Sequence, residues 1–330
     1  MAGQELDVLA IGNAIVDTLI HADDMFLLEH GLSKGSMTLI DATRAEQLYR
    51  ASGPGIEASG GSAANTAAGV AMLGGRAGFA GRVANDQFGG VFRHDIRANG
   101  VEFETPAAKG GSPTARCLIF VTPDAHRTMQ TYLGAAVEFG PDDLDEDQIR
   151  RAKYTFLEGY LWDQPRAKLA FLQAAEVAHA AGRKTALSLS DPFCVERHRA
   201  EFRQLVENHV DVLFANESEI CSLWQIPDFE RAIHATRGKC PLAVITRSEK
   251  GSVVLSGNNA FAVQAAPVER VVDTTGAGDQ YAAGFLFGLA SGRRIESCAR
   301  IACLTAAEVI THYGARPVTT LTDQVMARFS

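Results

Sequence analysis

The chain lacks the marks of several broad protein classes. It has no basic surplus: 31 Lys and Arg stand against 39 Asp and Glu in 330 residues, a formal charge of −8. Proteins that hold nucleic acid through its phosphates usually show the opposite balance. No Lys/Arg cluster stands out, so non-specific nucleic-acid binding is disfavoured. No apolar run approaches the ~18 residues of a membrane span. The start, Met1-Ala2-Gly3-Gln4-Glu5-Leu6-Asp7, is acidic and has no basic segment or small-residue cleavage site. A secretion signal is therefore not expected. Cysteine is sparse. Cys117, Cys194, Cys221, Cys240, Cys298 and Cys303 are scattered with no C-x-x-C pair. This points away from a zinc site or a disulfide framework and toward reduced core thiols, with the cytoplasm as the expected compartment.

What is present describes a soluble globular chain. Hydrophobic residues are 46% and charged residues 21%, enough to bury a full core without disulfide or metal staples. At ~150 residues per domain the length suggests two domains, or one large α/β body with an appendage. Glycine is abundant, with 31 residues, and it is clustered.

Short apolar runs alternate with amphipathic stretches. The runs Leu6–Ile11, Gly78–Val83, Tyr154–Glu158, Thr185–Leu189, Asp211–Ala215, Leu242–Thr246 and Ser252–Leu255 read as strands. Helix patterns cover Ser62–Leu73, Gln87–Asn99, Arg166–Ala181, Val195–Asn208 and Phe229–Thr236. Two longer ones, Ala277–Ala290 and Ile295–His312, close the chain. The alternation from Tyr154 to Thr246 predicts βαβ crossovers and a mostly parallel sheet flanked by helices. Two stretches, about 16–40 and 101–133, break the rhythm and read as hairpin strands. Together they predict a small discontinuous β lid over a single α/β domain.

The most informative segment is Val271-Val272-Asp273-Thr274-Thr275-Gly276-Ala277-Gly278-Asp279-Gln280-Tyr281. It reads as an extended segment, a glycine turn and a helix start. Backbone N–H groups near Gly276, Ala277 and Gly278 would face outward where the helix dipole favours an anion. A carboxylate beside a phosphate site is unfavourable unless it has a task, and Asp279 could serve as a general base. The alternative is an ordinary loop in which Asp279 caps the helix. Rival phosphate motifs are missing: there is no G-x-x-x-x-G-K-[ST], and Gly12-Asn13-Ala14-Ile15 after the first strand carries one glycine.

Asp273-Thr274-Thr275-Gly276-Ala277-Gly278-Asp279 resembles the C-terminal signature of the ribokinase-like (PfkB) family of sugar and nucleoside kinases. Gly60-Gly61-Ser62-Ala63-Ala64-Asn65 resembles its double-glycine signature, and Asn216-Glu217-Ser218-Glu219 its N-x-x-E element. The resemblance runs from about Leu6 to Pro317 and implies a ribokinase-like α/β fold. It implies that Asp279 activates the acceptor hydroxyl and that Gly276, Ala277 and Gly278 form the anion hole for the transferred phosphoryl group. ATP would be co-substrate, met by Asn216, Glu219, Thr246, Gly251, Thr275, Gly276, Gly278 and Arg127. Glu219 would hold Mg²⁺ through water. A monovalent cation (K⁺) near Asp273 and Gly314 occurs in some relatives. The sequence departs at Thr246-Arg247-Ser248, where the family often has T-x-G.

The acceptor would lie near the N-terminus. Asp17 could accept two hydrogen bonds from a vicinal diol, with Asn13, Gly61, Ser62 and Asn65 beside it. Read alone, Asp17 could also be a strand-end cap, Asn216-Glu217-Ser218-Glu219 a capped helix start, and Arg127 an exposed turn residue. Gly12-Asn13-Ala14-Ile15-Val16-Asp17, Leu187-Ser188-Leu189-Ser190-Asp191-Pro192-Phe193 and Val212-Leu213-Phe214-Ala215-Asn216-Glu217-Ser218-Glu219 are similar to the nucleoside-phosphorylating members, those acting on adenosine above all. Met129, Leu133 and Tyr160 are candidates for an apolar base slot, or for plain packing. The expected partners are thus small molecules, adenosine or a sugar with ATP, taken by a monomer or homodimer. Ribose, fructose and 2-keto-3-deoxygluconate are the sugar alternatives.

Overall fold

The computed structural model describes residues 4–319, 321 and 322. Nine strands form the central sheet in the spatial order Asn259–Val263, Ser252–Ser256, Leu242–Thr246, Val212–Asn216, Lys184–Ser188, Ala152–Glu158, Leu6–Ile11, Ala77–Ala80, Val101–Glu102. Seven run parallel, and the two at the Asn259–Val263 edge are antiparallel. The strand Leu6–Ile11 shows why the sheet is buried on both faces. Leu9 and Ile11 enter one core cluster, Val8 and Ala10 the other, as the period of two requires. Helices Pro165–Ala180, Pro192–His209 and Phe229–Thr236 cover the first face. Ser62–Met72, Gln87–Ala98, Ala277–Ala290 and Ile295–Val309 cover the second. Most predicted elements fall within three residues of these bounds.

Ser62–Met72 is built from small residues, SAANTAAGVAM, and packs closely on Ala277–Ala290. A Cβ at Gly69 would lie 2.2 Å from Gln280 Oε1 and 2.7 Å from the Ala283 Cβ. This close approach brings the first turns of the two helices together, and the site is built there.

A second sheet has five strands in the order Met37–Leu39, Arg127–Tyr132, Ala115–Val121, Ile15–His21, Gly55–Gly60. It differs from the predicted hairpin element in two respects. Gly55–Gly60 is an added strand; its GIEASG sequence carries no apolar alternation, and its state is set by pairing with Ile15–His21. Val101–Glu102 joins the edge of the central sheet instead, beside Ala77–Ala80. One face of the second sheet is buried on Leu27 and Leu48 of helices Asp24–Glu29 and Ala42–Ala51 through Ile20, Leu118 and Phe120. Asp17 and Leu19 belong to the other face.

Candidate active site

A cavity of about 350 Å³ opens where several parallel strands end, the usual ligand position in open α/β sheets. Ser188, Asn216 and Thr246, at the C-terminal ends of three strands, line it together with Gly276, Ala277, Gly278 and Asp279.

The two loop glycines act differently. Gly276 caps the helix in the left-handed region, φ 78°, and its missing Cβ would sit 2.5 Å from the Ala315 carbonyl oxygen. Gly278 has open space where its Cβ would be, so it keeps the cavity clear. The Ala277 N–H closes the turn on the Thr274 carbonyl at 3.2 Å. It is therefore not a free donor, as the sequence had suggested. The N–H groups of Gly276, Gly278 and Asp279 have no acceptor among the described residues. They form the open end of the helix, a preorganised anion site.

Asp279 sits in the first helical turn. Its Oδ1 accepts from the Ser62 hydroxyl at 2.6 Å and its Oδ2 from Asn65 Nδ2 at 3.1 Å. Burial pushes its pKa up, while the two hydrogen bonds and the Arg316 guanidinium pull it down. It therefore combines raised basicity with support for the ionised form. Asp17, across the site, is raised to about 6, first by burial; Arg316 and Arg127 oppose the rise and Asp279 adds to it.

Asn13 is buried and donates through Nδ2 to Glu158 Oε1 at 2.6 Å. Glu158 also accepts from the Ala63 N–H at 2.8 Å, and burial raises its pKa to about 7. It ties the first strand to the start of the Ser62–Met72 helix. Gly61 lies between them with φ 98°, and a Cβ there would stand 2.2 Å from the Asn13 carbonyl oxygen.

Asn216 and Glu219 form a reciprocal capping box on helix Glu217–Trp224, and both line the cavity. Glu219 accepts from the Asn216 N–H at 2.9 Å and Nδ2 at 2.6 Å, and burial raises it to about 7. Among the described residues no group of three His, Cys, Asp or Glu could encage a metal. This donor set fits Mg²⁺ that keeps its water shell: one carboxylate faces the cavity with both oxygens already accepting. Ser248, where the family often has glycine, adopts φ 51° and so keeps the left-handed backbone of that turn. Gly251 is not part of the cavity lining. Its φ is 82° and a Cβ would meet the Val263 carbonyl at 2.0 Å, so it serves the hairpin turn.

Asp273 is fully engaged. Its Oδ1 accepts from the Thr275 N–H and hydroxyl, and its Oδ2 accepts from the Gly314 N–H at 3.2 Å. Arg127 Nη1 lies 2.8 Å from that Oδ2, and its guanidinium stacks over Tyr313. Arg127 is thus neither an exposed turn residue nor free: it bridges the second sheet to the phosphate loop. Tyr160 lines the cavity and is 42% exposed. Met129 lies in register with Ile119 and Met37 on the Asp17 face of the second sheet, and Leu133 follows that strand.

Three residues escaped the sequence reading. Glu158, Gln280 and Arg316 lie within or beside recognisable segments, but each has a partner over 90 residues distant. Gln280 donates to the carbonyls of Asn65 at 3.0 Å and Ala315 at 2.9 Å. Arg316 donates to Asn65 Oδ1 at 3.1 Å. Each is made by tertiary packing, which no local pattern reports.

A glycine-turned helix start with a buried carboxylate beside it, at the C-terminal ends of parallel strands, is an arrangement suited to phosphoryl transfer. The chain belongs to the pfkB family of carbohydrate kinases, whose profile matches residues 37–321, and its fold is ribokinase-like. A probable sugar kinase from Rhizobium etli CFN 42 is 50% identical, with TM-score 0.89, over 98% of this chain and 99% of that one. An adenosine kinase from Sinorhizobium meliloti is 54% identical, TM-score 0.89, over the same shares. Among curated relatives, the 5-dehydro-2-deoxygluconokinase of Geobacillus thermodenitrificans is 27% identical over 81% of this chain and 82% of its own. The adenosine kinase of Saccharomyces cerevisiae is 26% identical over 88% and 90%. The chain is a kinase, and its family implies ATP as the phosphoryl donor. No helix among the described residues is long and apolar enough to cross a membrane.

Proposed function

We propose that this kinase transfers the γ-phosphoryl group of ATP to the 5′-hydroxyl of adenosine. The observation that carries the reading is the Asp17 face of the second sheet. Ile56, Leu19, Ile119, Met129 and Met37 are successive cross-strand neighbours, so they form one apolar row. Asp17 stands in the next row of that face, beside Ala58 and Cys117. Met37 is 56% and Ile56 74% exposed. A diol-binding carboxylate next to an apolar strip exposed at its two ends suits a ribose carrying a base, whose apolar ring such a strip would cover. The name of the 54%-identical structure points the same way.

In this reading the ribose diol meets Asp17 and Asn65, and Asp279 takes the 5′-hydroxyl proton as the oxygen attacks in line. The N–H groups of Gly276, Gly278 and Asp279 receive the charge on the phosphoryl oxygens. Asn216, Glu219 and Thr246 face the nucleotide phosphates, and Mg²⁺, held through water beside Glu219, would neutralise them. The second sheet acts as the lid, with Arg127 at its junction with the phosphate loop. Since Arg127 already neutralises Asp273, a K⁺ requirement is not part of the proposal. The second reading, a sugar kinase, is favoured by the fructokinase and gluconokinase relatives. ADP release measured with adenosine, inosine, guanosine, ribose, fructose and 2-keto-3-deoxygluconate separates the two. Turnover of a free sugar without turnover of any nucleoside would reject the adenosine assignment.

A further inference from the structure

We propose that Arg316 is a positioning residue of the acceptor site: its guanidinium orients the Asn65 amide toward Asp279 and supplies the buried positive charge shared by Asp17 and Asp279. The inference rests on the phosphotransferase reading above and not on the choice of nucleoside or sugar.

The geometry is specific. Arg316 Nε donates to Asn65 Oδ1 at 3.1 Å, and Asn65 Nδ2 donates to Asp279 Oδ2 at 3.1 Å. A guanidinium only donates and a carboxylate only accepts. Turning the amide over would therefore set donor against donor and acceptor against acceptor. Arg316 thus decides which end of Asn65 faces the base. Arg316 is itself fixed. Nη1 donates to Ser59 Oγ at 3.0 Å and to Asp95 Oδ2 at 3.3 Å, and Gln280 holds the preceding carbonyl, that of Ala315. Its side chain is 14% exposed, and Nη2 is buried with no partner among the described residues.

Three carboxylates act on this guanidinium: Asp17 from strand Ile15–His21, Asp95 from helix Gln87–Ala98 and Asp279 from helix Ala277–Ala290. Of the other charges at the site, Arg127 of strand Arg127–Tyr132 acts on Asp17, and Glu158 of strand Ala152–Glu158 feels Asp279. Arg127 is paired with Asp273 and Asp95 holds Ser59, so Arg316 is the cation that bears on Asp17 and Asp279 together. Removing it should raise both carboxylates, since an opposite charge nearby favours the ionised form.

The test compares wild type with Arg316→Met and Arg316→Lys. Wild type is first run on the acceptor panel. Failure of adenosine alone rejects adenosine, and the comparison proceeds with the acceptor that is phosphorylated. Arg316→Met is expected to lose ~10-fold or more in kcat/KM, with its acidic limb moved up by about one pH unit. Arg316→Lys is expected to keep the limb near its wild-type position, since the charge remains, yet still lose rate through the freed amide. The pH dependence of acceptor-induced thermal shift should move in parallel, independently of turnover. A Met variant that loses only Tm, with an unmoved limb, overturns the proposal. So does a Lys variant whose limb moves up by about one pH unit from wild type, and this arm stands even if the Met variant does not fold.

Discussion

The Ser62 hydroxyl donates to Asp279 Oδ1 at 2.6 Å across 217 residues of chain. The bond joins the first turn of helix Ser62–Met72 to the first turn of helix Ala277–Ala290. Both helices can approach because their facing residues are small, and the approach fixes the Asp279 carboxylate before any ligand arrives. Preorganisation of this kind lowers a barrier without cost at the moment of reaction.

Replacing Asp279 by Asn preserves the shape and leaves an acceptor for Ser62, but removes the base. Acceptor binding, followed by calorimetry, should stay within a few-fold of wild type. The turnover rate should fall at least ~10²-fold, the scale of general-base catalysis. Near-normal turnover would show that the proton leaves by another route.

The glycines of the phosphate loop should separate stability from rate. Gly276→Ala meets both a left-handed φ of 78° and the Ala315 carbonyl 2.5 Å from the new Cβ. A loss of about 1–3 kcal/mol is expected, visible as a lower Tm. Gly278→Ala meets nothing within 4 Å. It should fold with wild-type Tm and lose turnover, because its methyl occupies the space through which the phosphoryl group passes. Equal thermal losses in the two variants would contradict this division.

Asp17 gives acceptor affinity a pH dependence of definite sign. Its pKa is raised to about 6, chiefly by burial. Below that value it is protonated and can accept fewer hydrogen bonds from a diol. Affinity should therefore rise as pH climbs from 5 to 7 and level off beyond. In Asp17→Asn the dependence should flatten and the affinity remain low throughout. Titrations of the acceptor at several pH values test both, and a wild-type affinity that is flat from pH 5 to 7 would remove Asp17 from the diol site.

The sequence was informative where chemistry is local. Leu6–Ile11, Leu242–Thr246, Phe229–Thr236 and Ala277–Ala290 were legible to the residue, because alternation, helical periodicity and a glycine start each mark a boundary within the segment itself. Asp279, Ser62 and Asn65 were legible as candidates through their motifs. Strand Gly55–Gly60 was not, since its pairing partner, not its composition, makes it a strand. Arg316 and Glu158 were invisible for the same reason: each acquires its meaning from residues on other elements. Ala277 shows the opposite error. Position in a motif suggested a free N–H, but the turn geometry hands that N–H to Thr274.

Arg127 and Asp273 form an ion pair in which each side chain is 9% exposed, between the second sheet and the phosphate loop. Removing one member leaves a buried charge without its partner, a loss of about 3–5 kcal/mol. Arg127→Met alone should therefore lower Tm markedly. Arg127→Met combined with Asp273→Asn leaves no stranded charge; Thr275 can still donate to the new amide oxygen, but the new NH2 cannot accept from the Gly314 N–H, so part of the stability should return. If Arg127 also meets the nucleotide phosphates when the lid closes, the KM for ATP should stay raised in the double variant although the fold is restored. Recovery of Tm together with a wild-type KM for ATP would confine Arg127 to holding the two sheets together.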